Sequence, residues 1–170
     1  MQIHEQTIDD GKIYSYSPKD AIYTGSQLKL IPINKTDNFD NIVLQNILSQ
    51  LIRQFPENEI GLFIGDEIHF VDCGENFATI SCPKCKLEIP AEEWQNFMSK
   101  ASEKHFSDLA IITSCCKYKT DLNSLIYNER CGFAKVVFTI EGYGDNSAEK
   151  LTETIKTKNN INLIPIFAKY

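Results

Sequence analysis

The sequence predicts an α+β fold, and three observations carry that reading. Apolar residues recur at helical spacing over 38–55, 90–105 and 147–157. Short β-branched runs flank the first and third of these, giving one β-α-β stretch from 28–33 to 68–72 and another from 133–140 to 161–167. The region between the two stretches is marked by cysteines more than by apolar period.

Residues 1–27 carry little periodicity. Ile13-Tyr14-Ser15-Tyr16-Ser17 alternates as a half-buried strand does, and Pro18-Lys19-Asp20 reads as a turn. Gln27-Leu28-Lys29-Leu30-Ile31-Pro32-Ile33 predicts a further strand. Pro32 cannot donate a ladder hydrogen bond and pushes that strand toward an edge or a bulge. In the helix at 38–55, Val43, Leu44, Ile47, Leu48, Leu51, Ile52 and Phe55 share one broad face. Asp37, Asn38 or Asp40 can cap its unpaired N–H groups, and Pro56 stops it.

Glu59-Ile60-Gly61-Leu62-Phe63-Ile64-Gly65 is apolar but punctuated by glycine, which leaves its type open. Ile68-His69-Phe70-Val71-Asp72 predicts a strand ended by Gly74 and Asn76, and Phe77-Ala78-Thr79-Ile80 a short one leading into Cys82. For the helix at 90–105, Pro90 suits the first helical position and Glu92 and Glu93 the positive dipole end. Trp94, Phe97, Met98 and Ala101 share its apolar face. Leu109-Ala110-Ile111-Ile112-Thr113 reads as a strand delivering Cys115 and Cys116, followed by a polar loop with Thr120, Asp121 and Asn123.

The run Phe133-Ala134-Lys135-Val136-Val137-Phe138-Thr139-Ile140 is the strongest strand signal in the chain. Asn146 or Ser147 starts the third helix along Ala148, Leu151 and Ile155, and Ile161-Asn162-Leu163-Ile164-Pro165-Ile166-Phe167 closes the chain as an edge strand. Side by side, the two β-α-β units give a ferredoxin-like βαββαβ sheet in a single domain, 1–170, with an insertion at about 78–120. Pro165 suits the edge position of the last strand. Pro32 does not suit the central position of the first, and a central place for 13–17 would change the topology.

The chain has 170 residues, 42% of them hydrophobic and 24% charged, which suits one domain with its own core. Its net charge of −6, with no Lys/Arg-dense stripe, argues against nucleic acid as the main partner. No apolar run approaches the roughly 18 residues of a membrane span. Met1-Gln2-Ile3-His4-Glu5 offers neither a basic nor an apolar leader, so a cytoplasmic location is expected. In that compartment six cysteines are not expected to form a disulfide framework.

Cys82-Pro83-Lys84-Cys85 is a C-x-x-C turn, whose sulfurs converge, and Cys115-Cys116 is a second pair. Together they make a tetrathiolate set, the ligand chemistry of a structural Zn²⁺ in a zinc-ribbon-like insertion. Adjacent cysteines on an extended strand point to opposite faces, so both can bind one metal only where the backbone turns. A set using one of that pair with His105 or Cys73 is the alternative, and buried free thiols are the bland reading. Cys73 and Cys131 read as ordinary core thiols. A thiol-redox reading needs the C-x-x-C to open a helix, and Lys86-Leu87-Glu88-Ile89-Pro90 delays the helix by a full turn.

Other catalytic signals are weak. His4, His69 and His105 are scattered, and Gly142-Tyr143-Gly144 lacks the third glycine of a dinucleotide fingerprint because position 147 is Ser. Lys117 and Lys119 soften the negative charge of a thiolate-rich site, and with Lys84 and Lys86 they form the one basic cluster available to a nucleic-acid-binding module.

The order Cys82-Pro83-Lys84-Cys85, Trp94, Thr113-Ser114-Cys115-Cys116, then 120–127 (Thr-Asp-Leu-Asn-Ser-Leu-Ile-Tyr) and Gly132-Phe133-Ala134 resembles a family of uncharacterised bacterial proteins of similar length. Their pattern is a C-P-x-C, a Trp-containing helix, a C-C, a T-S-L-N-D-L-x-Y-like segment and a G-F-A-R-F-like strand. The resemblance covers roughly 66–170. Lys117 stands where the family tends to have Gly, and Ser124 and Lys135 replace Asp and Arg. It implies the metal site and the fold, with Asp121 and Asn123 organising the adjacent loop, and brings no reaction with it. The expected function is therefore that of a zinc-stabilised, non-enzymatic protein acting through protein–protein contact, for example an acidic immunity protein against a basic toxin. A nucleic-acid-binding zinc ribbon and a thiol redox enzyme are the alternatives.

Overall fold

Burial along the strongest predicted strand sets the architecture. Val136, Phe138 and Ile140 turn to one side of the sheet and Val137 to the other, and all four are buried, so that strand lies in the interior of its sheet, with Lys135 and Thr139 half-buried on the Val137 side. A computed structural model of the chain describes residues 2–36, 39–144 and 147–170. In chain order the elements are β1 (His4–Ile8), β2 (Gly11–Tyr16), β3 (Ser26–Pro32), α1 (Asn41–Gln54), β4 (Ile60–Val71), β5 (Ile80–Ser81) and α2 (Ala91–Ser102). Then come β6 (Ala110–Ile112), β7 (Lys119–Asp121), a 3₁₀ turn (Leu122–Ser124), β8 (Ile126–Tyr127), β9 (Gly132–Glu141), α3 (Ala148–Asn159) and β10 (Leu163–Lys169). The fold is α+β, built on a six-stranded sheet in the order β1-β2-β4-β9-β3-β10 with every neighbouring pair antiparallel.

Helix α1 buries Leu44, Ile47, Leu48, Leu51 and Ile52 against the sheet, the face that its spacing predicts. The Asp40 carboxylate caps it by accepting from the Ile42 N–H at 2.9 Å; Asp37 and Asn38 lie outside the described residues. Helix α3 adds Leu151 and Ile155 to the same core, with Ser147 at its N-cap and Asn146 outside the described residues. Pro90 is the N-cap of α2, one position earlier than expected, because its carbonyl already accepts from the Trp94 N–H. That helix ends at Ser102, before 105, since His105 and Phe106 turn left-handed at φ 51° and 53°.

The glycine-punctuated run and the strand after it are one continuous β4. Its register against β9 shifts between Ile64 and His69. Gly65 permits that bulge: a Cβ there would lie 2.9 Å from the Glu67 carbonyl oxygen and 3.0 Å from the His69 ring. The 13–17 stretch contributes β2, which pairs with β4 and carries β1 on its outer side, so it extends the sheet without entering its centre.

Both prolines are accommodated by hydrogen-bond parity. Ile33 N–H donates to Asn162 and Tyr170 N–H to Gly25, so even-numbered residues of β10 face β3. Pro165 therefore directs its missing donor outward from the edge. Pro32 directs its own toward β9, but the β3–β9 pairing stops at Leu30. A central strand thus carries a proline without losing a ladder bond.

Lys29 is 7% exposed and ties the end of β10 to the end of β4. Its ammonium donates to the Asp72 carbonyl at 2.9 Å, the Asp72 carboxylate at 3.3 Å and the Tyr170 hydroxyl at 2.6 Å. Burial raises the Asp72 carboxyl, but the Gly74 N–H, Lys29 and Tyr170 outweigh it and hold the group below its ordinary value. The folded state therefore binds this proton less readily than the unfolded chain. The contribution is complete above the unfolded carboxylate value of about 3.9 and is lost as pH falls through the lower folded value. Asp72→Asn is expected to cost about 1–2 kcal/mol at neutral pH. In urea titrations the gap to wild type should close as the pH is taken into the acid range, and a gap independent of pH would contradict this assignment.

The segment between β4 and β9 folds as a lobe with two small sheets, β5–β8 and β6–β7, beside α2. Its core joins Ile80, Cys82, Ile89, Ala101, Leu109, Leu122 and Leu125 to Ile68 and Phe133 of the main sheet. At its base Cys73 and Cys131 are both buried with their sulfurs 3.4 Å apart, so the two core thiols are in contact with each other. Burial first, and the neighbouring sulfur second, push the Cys131 thiol up to about 12.

Candidate metal centre

Two loops at one end of the lobe have the same backbone. In the first, Cys82 N–H donates to the Leu87 carbonyl at 2.9 Å, Lys86 N–H donates to the Cys82 carbonyl at 3.0 Å, and Lys86 is left-handed at φ 63°. In the second, Thr113 N–H donates to the Tyr118 carbonyl at 3.0 Å, Lys117 N–H donates to the Thr113 carbonyl at 3.0 Å, and Lys117 is left-handed at φ 55°. Cys82, Cys85, Lys86 and Leu87 thus correspond to Thr113, Cys116, Lys117 and Tyr118. The turn at 114–116 removes the strand alternation that would have sent adjacent cysteines to opposite faces.

These loops bring together the sulfurs of Cys82, Cys85, Cys115 and Cys116, all within 4.8 Å of one another. Cys82 and Cys116 are 3.7 Å apart and Cys85 and Cys115 3.3 Å. Sulfurs at about 2.3 Å from a tetrahedral zinc would be about 3.8 Å apart. The set can hold a metal ion. Cys82 is fully buried, Cys85 and Cys116 are half-buried, and Cys115 is exposed.

The electrostatics fit a cation. Burial alone would raise the Cys82 thiol, but the N–H groups of Cys85 and Lys84 and the Thr113 hydroxyl bring it down to about 6. At Cys85 the Leu87 N–H favours the thiolate, yet desolvation and the other three sulfurs push the group up to about 12. One thiolate is welcome here and several repel one another, unless a dication takes the place of the protons.

In the sequence Thr113 stands at a strand end and in the motif leading into the cysteine pair, with no role of its own. It is 0% exposed, its Oγ1 lies 3.8 Å from the Cys82 sulfur and 3.7 Å from that of Cys116, and it accepts from the Tyr118 N–H at 3.3 Å. The signal was available: aligning C-P-K-C-K-L with T-S-C-C-K-Y puts Thr113 opposite Cys82. Thr113→Val keeps the shape and removes the hydroxyl. It is expected to weaken metal affinity about tenfold, as loss of a ligand-orienting hydrogen bond does. Competition with a chromogenic chelator measures this, and unchanged affinity would make Thr113 mere packing.

Around the centre, Glu93 of α2 accepts from the Ser114 N–H at 2.9 Å and from its hydroxyl at 2.5 Å, fixing the second loop to the helix. Lys84 places its ammonium 5.4 Å from the centre of the Tyr118 ring, and Lys86, Lys117 and Lys119 are exposed nearby in sequence. Asp121 holds the following turn by accepting from the Ser124 N–H at 2.9 Å and hydroxyl at 2.8 Å. Asn128, unremarked in the sequence, pins the other side by accepting from Ala78 and Thr79 N–H groups.

The alternative ligands lie elsewhere. His105 pairs with Glu67 at 2.5 Å, and Cys73 packs on Cys131. His69 stacks edge-on against Phe63. Cys85 and α2 are separated by Lys86-Leu87-Glu88-Ile89-Pro90, so the C-x-x-C does not open a helix. Among the described residues no helix is long and apolar enough to cross a membrane. Comparison with protein-family models, curated proteins and solved structures finds no match to this chain.

Proposed function

We propose that this chain is a cytoplasmic, non-enzymatic protein whose lobe is held in shape by one structural Zn²⁺ and acts through contact with another protein. The observation that carries the reading is the convergence of four sulfurs from two matched loops. Four thiolates complete a tetrahedron, whereas catalytic zinc keeps a position for water. The strand order β4-β9-β3-β10 supports a ferredoxin-like reading of the sheet, with β1 and β2 added at one edge and the lobe as a zinc-ribbon-like insertion. The resemblance to uncharacterised bacterial proteins fits the same reading. A net charge of −6 favours a basic partner, such as the toxin of an immunity pair.

Metal analysis of the purified full chain should find one zinc per molecule, lost on Cys→Ser change at any of the four positions. Zinc-loaded wild type should capture a basic partner from native-host extract that Cys82→Ser does not. Equal capture would remove the lobe from the interface.

The exposed Lys84, Lys86, Lys117 and Lys119 favour a second reading, a nucleic-acid-binding zinc ribbon. Fluorescence anisotropy with labelled oligonucleotides decides it. Binding that weakens steeply with salt and disappears when the four lysines become alanine would transfer the function to nucleic acid.

A further inference from the structure

The matched loops differ at one point. In the first loop the ligands are the first and fourth residues, Cys82 and Cys85. In the second the first position is Thr113, the fourth is Cys116, and the remaining sulfur comes from the third, Cys115. Threonine at the buried position therefore displaces one ligand to the solvent side, and Cys115 is the exposed member of the set. Its sulfur is 3.3 Å from that of Cys85, itself only half-buried. The exposed Cys115 sulfur thus has Cys85 as its near neighbour, while the fully buried Cys82 and the half-buried Cys116 lie against Thr113.

We infer that Cys115 and Cys85 form an oxidant-reactive thiolate pair through which peroxide releases the metal. The inference rests on the zinc reading above. The Cys115 thiolate attacks one peroxide oxygen, forming an S–O bond as the O–O bond breaks, and the departing hydroxide takes a proton to become water. The Cys85 thiolate then attacks the sulfenic sulfur, forming the S–S bond as the S–O bond breaks, and the second hydroxide leaves with a proton as water. The two thiolates lose two electrons and the peroxide gains them, with two protons drawn from solvent. Zn²⁺ keeps only Cys82 and Cys116, too few protein ligands for a structural site, and leaves. Exposure makes Cys115 the entry point, since reactivity of a thiolate follows access.

The test uses the zinc-loaded full chain, hydrogen peroxide as oxidant and a chromogenic chelator to follow release. Zinc content is measured before oxidant is added, and disulfides are mapped afterwards by mass spectrometry without reduction. Wild type should release its zinc with the appearance of a Cys85–Cys115 disulfide, and a thiol reductant with added zinc should restore the centre. Thr113→Cys/Cys115→Ser moves the fourth thiolate to the buried position matched with Cys82. Both positions belong to the centre, so its zinc content is measured first; the zinc it holds should be released about tenfold more slowly, as burial of a thiolate predicts, and release at the wild-type rate overturns the inference. If that variant does not fold, the wild-type disulfide map still decides. Zinc retained under peroxide, a disulfide between Cys82 and Cys116, or release accompanied only by a Cys73–Cys131 disulfide overturns the inference and leaves the zinc reading standing. No zinc before oxidation overturns the zinc reading, and the inference with it.

Discussion

Removing the metal, by chelation or by Cys82→Ser, is expected to unfold the lobe between β4 and β9 while the six-stranded sheet stays folded. The two parts rest on different sources of stability. The sheet side buries a continuous set from Leu28 and Leu30 through Ile47, Leu51, Phe138 and Ile155, enough for a core in its own right. The lobe has strands of two or three residues paired only two at a time, which are at best marginal without support. Structural zinc contributes about 10–16 kcal/mol in isolated zinc-binding peptides at neutral pH, far more than such strands can supply. In Cys82→Ser the loss falls on the fully buried ligand, and a hydroxyl is left among three sulfurs. Hydrogen exchange of zinc-loaded and chelated protein should show protection lost over 80–127 and retained in β3, β9 and α1. Uniform loss would mean that the lobe and sheet are one cooperative unit. Unchanged protection over 80–127 would mean that the metal does not hold the lobe.

The parts of this fold legible in the sequence are those whose burial repeats. Helix α1, strand β9 and the proline-bearing β10 show their period because one or both faces meet a core. Strand β1 is exposed along most of its length, so nothing in its composition reports its pairing with β2. The two halves of β4 read as separate pieces because the bulge at Gly65 interrupts the alternation. Strands β7 and β8 are too short to carry a period, and the polar stretch around Thr120 hides them. The convergence of the four sulfurs was legible because a C-x-x-C and a second cysteine pair are a set of residue types and spacings that metal ligation requires. Thr113 was legible only as an alignment of C-P-K-C-K-L with T-S-C-C-K-Y, and that alignment gains its meaning from the shared backbone of the two loops.

Phe133→Ala is expected to cost about 3–5 kcal/mol, the range for deleting a buried phenyl ring, and to uncouple the lobe from the sheet. Phe133 is 3% exposed and belongs by backbone to β9, yet its ring packs in the lobe's core. It lies 5.2 Å from the ring of Phe70, its cross-strand partner on β4, and 5.4 Å from that of Phe106 beyond α2. Phe70 in turn meets Trp94, which meets Phe77, so one chain of rings runs from the sheet into the lobe. The two cysteine-bearing loops are closed by their own backbone hydrogen bonds, without this ring. The variant should therefore still bind zinc while exchanging faster around Phe106 and along α2. Phe138→Ala is the comparison, a deletion of similar size at a fully buried position between sheet and helices. Its loss of protection should fall on α1 and α3 and spare the lobe. If both variants loosen both parts alike in urea titration and hydrogen exchange, the aromatic chain is not a joint between two units but part of a single core. If only Phe133→Ala frees the lobe, the position of that lobe on the sheet depends on one ring, and the metal fixes its internal shape alone.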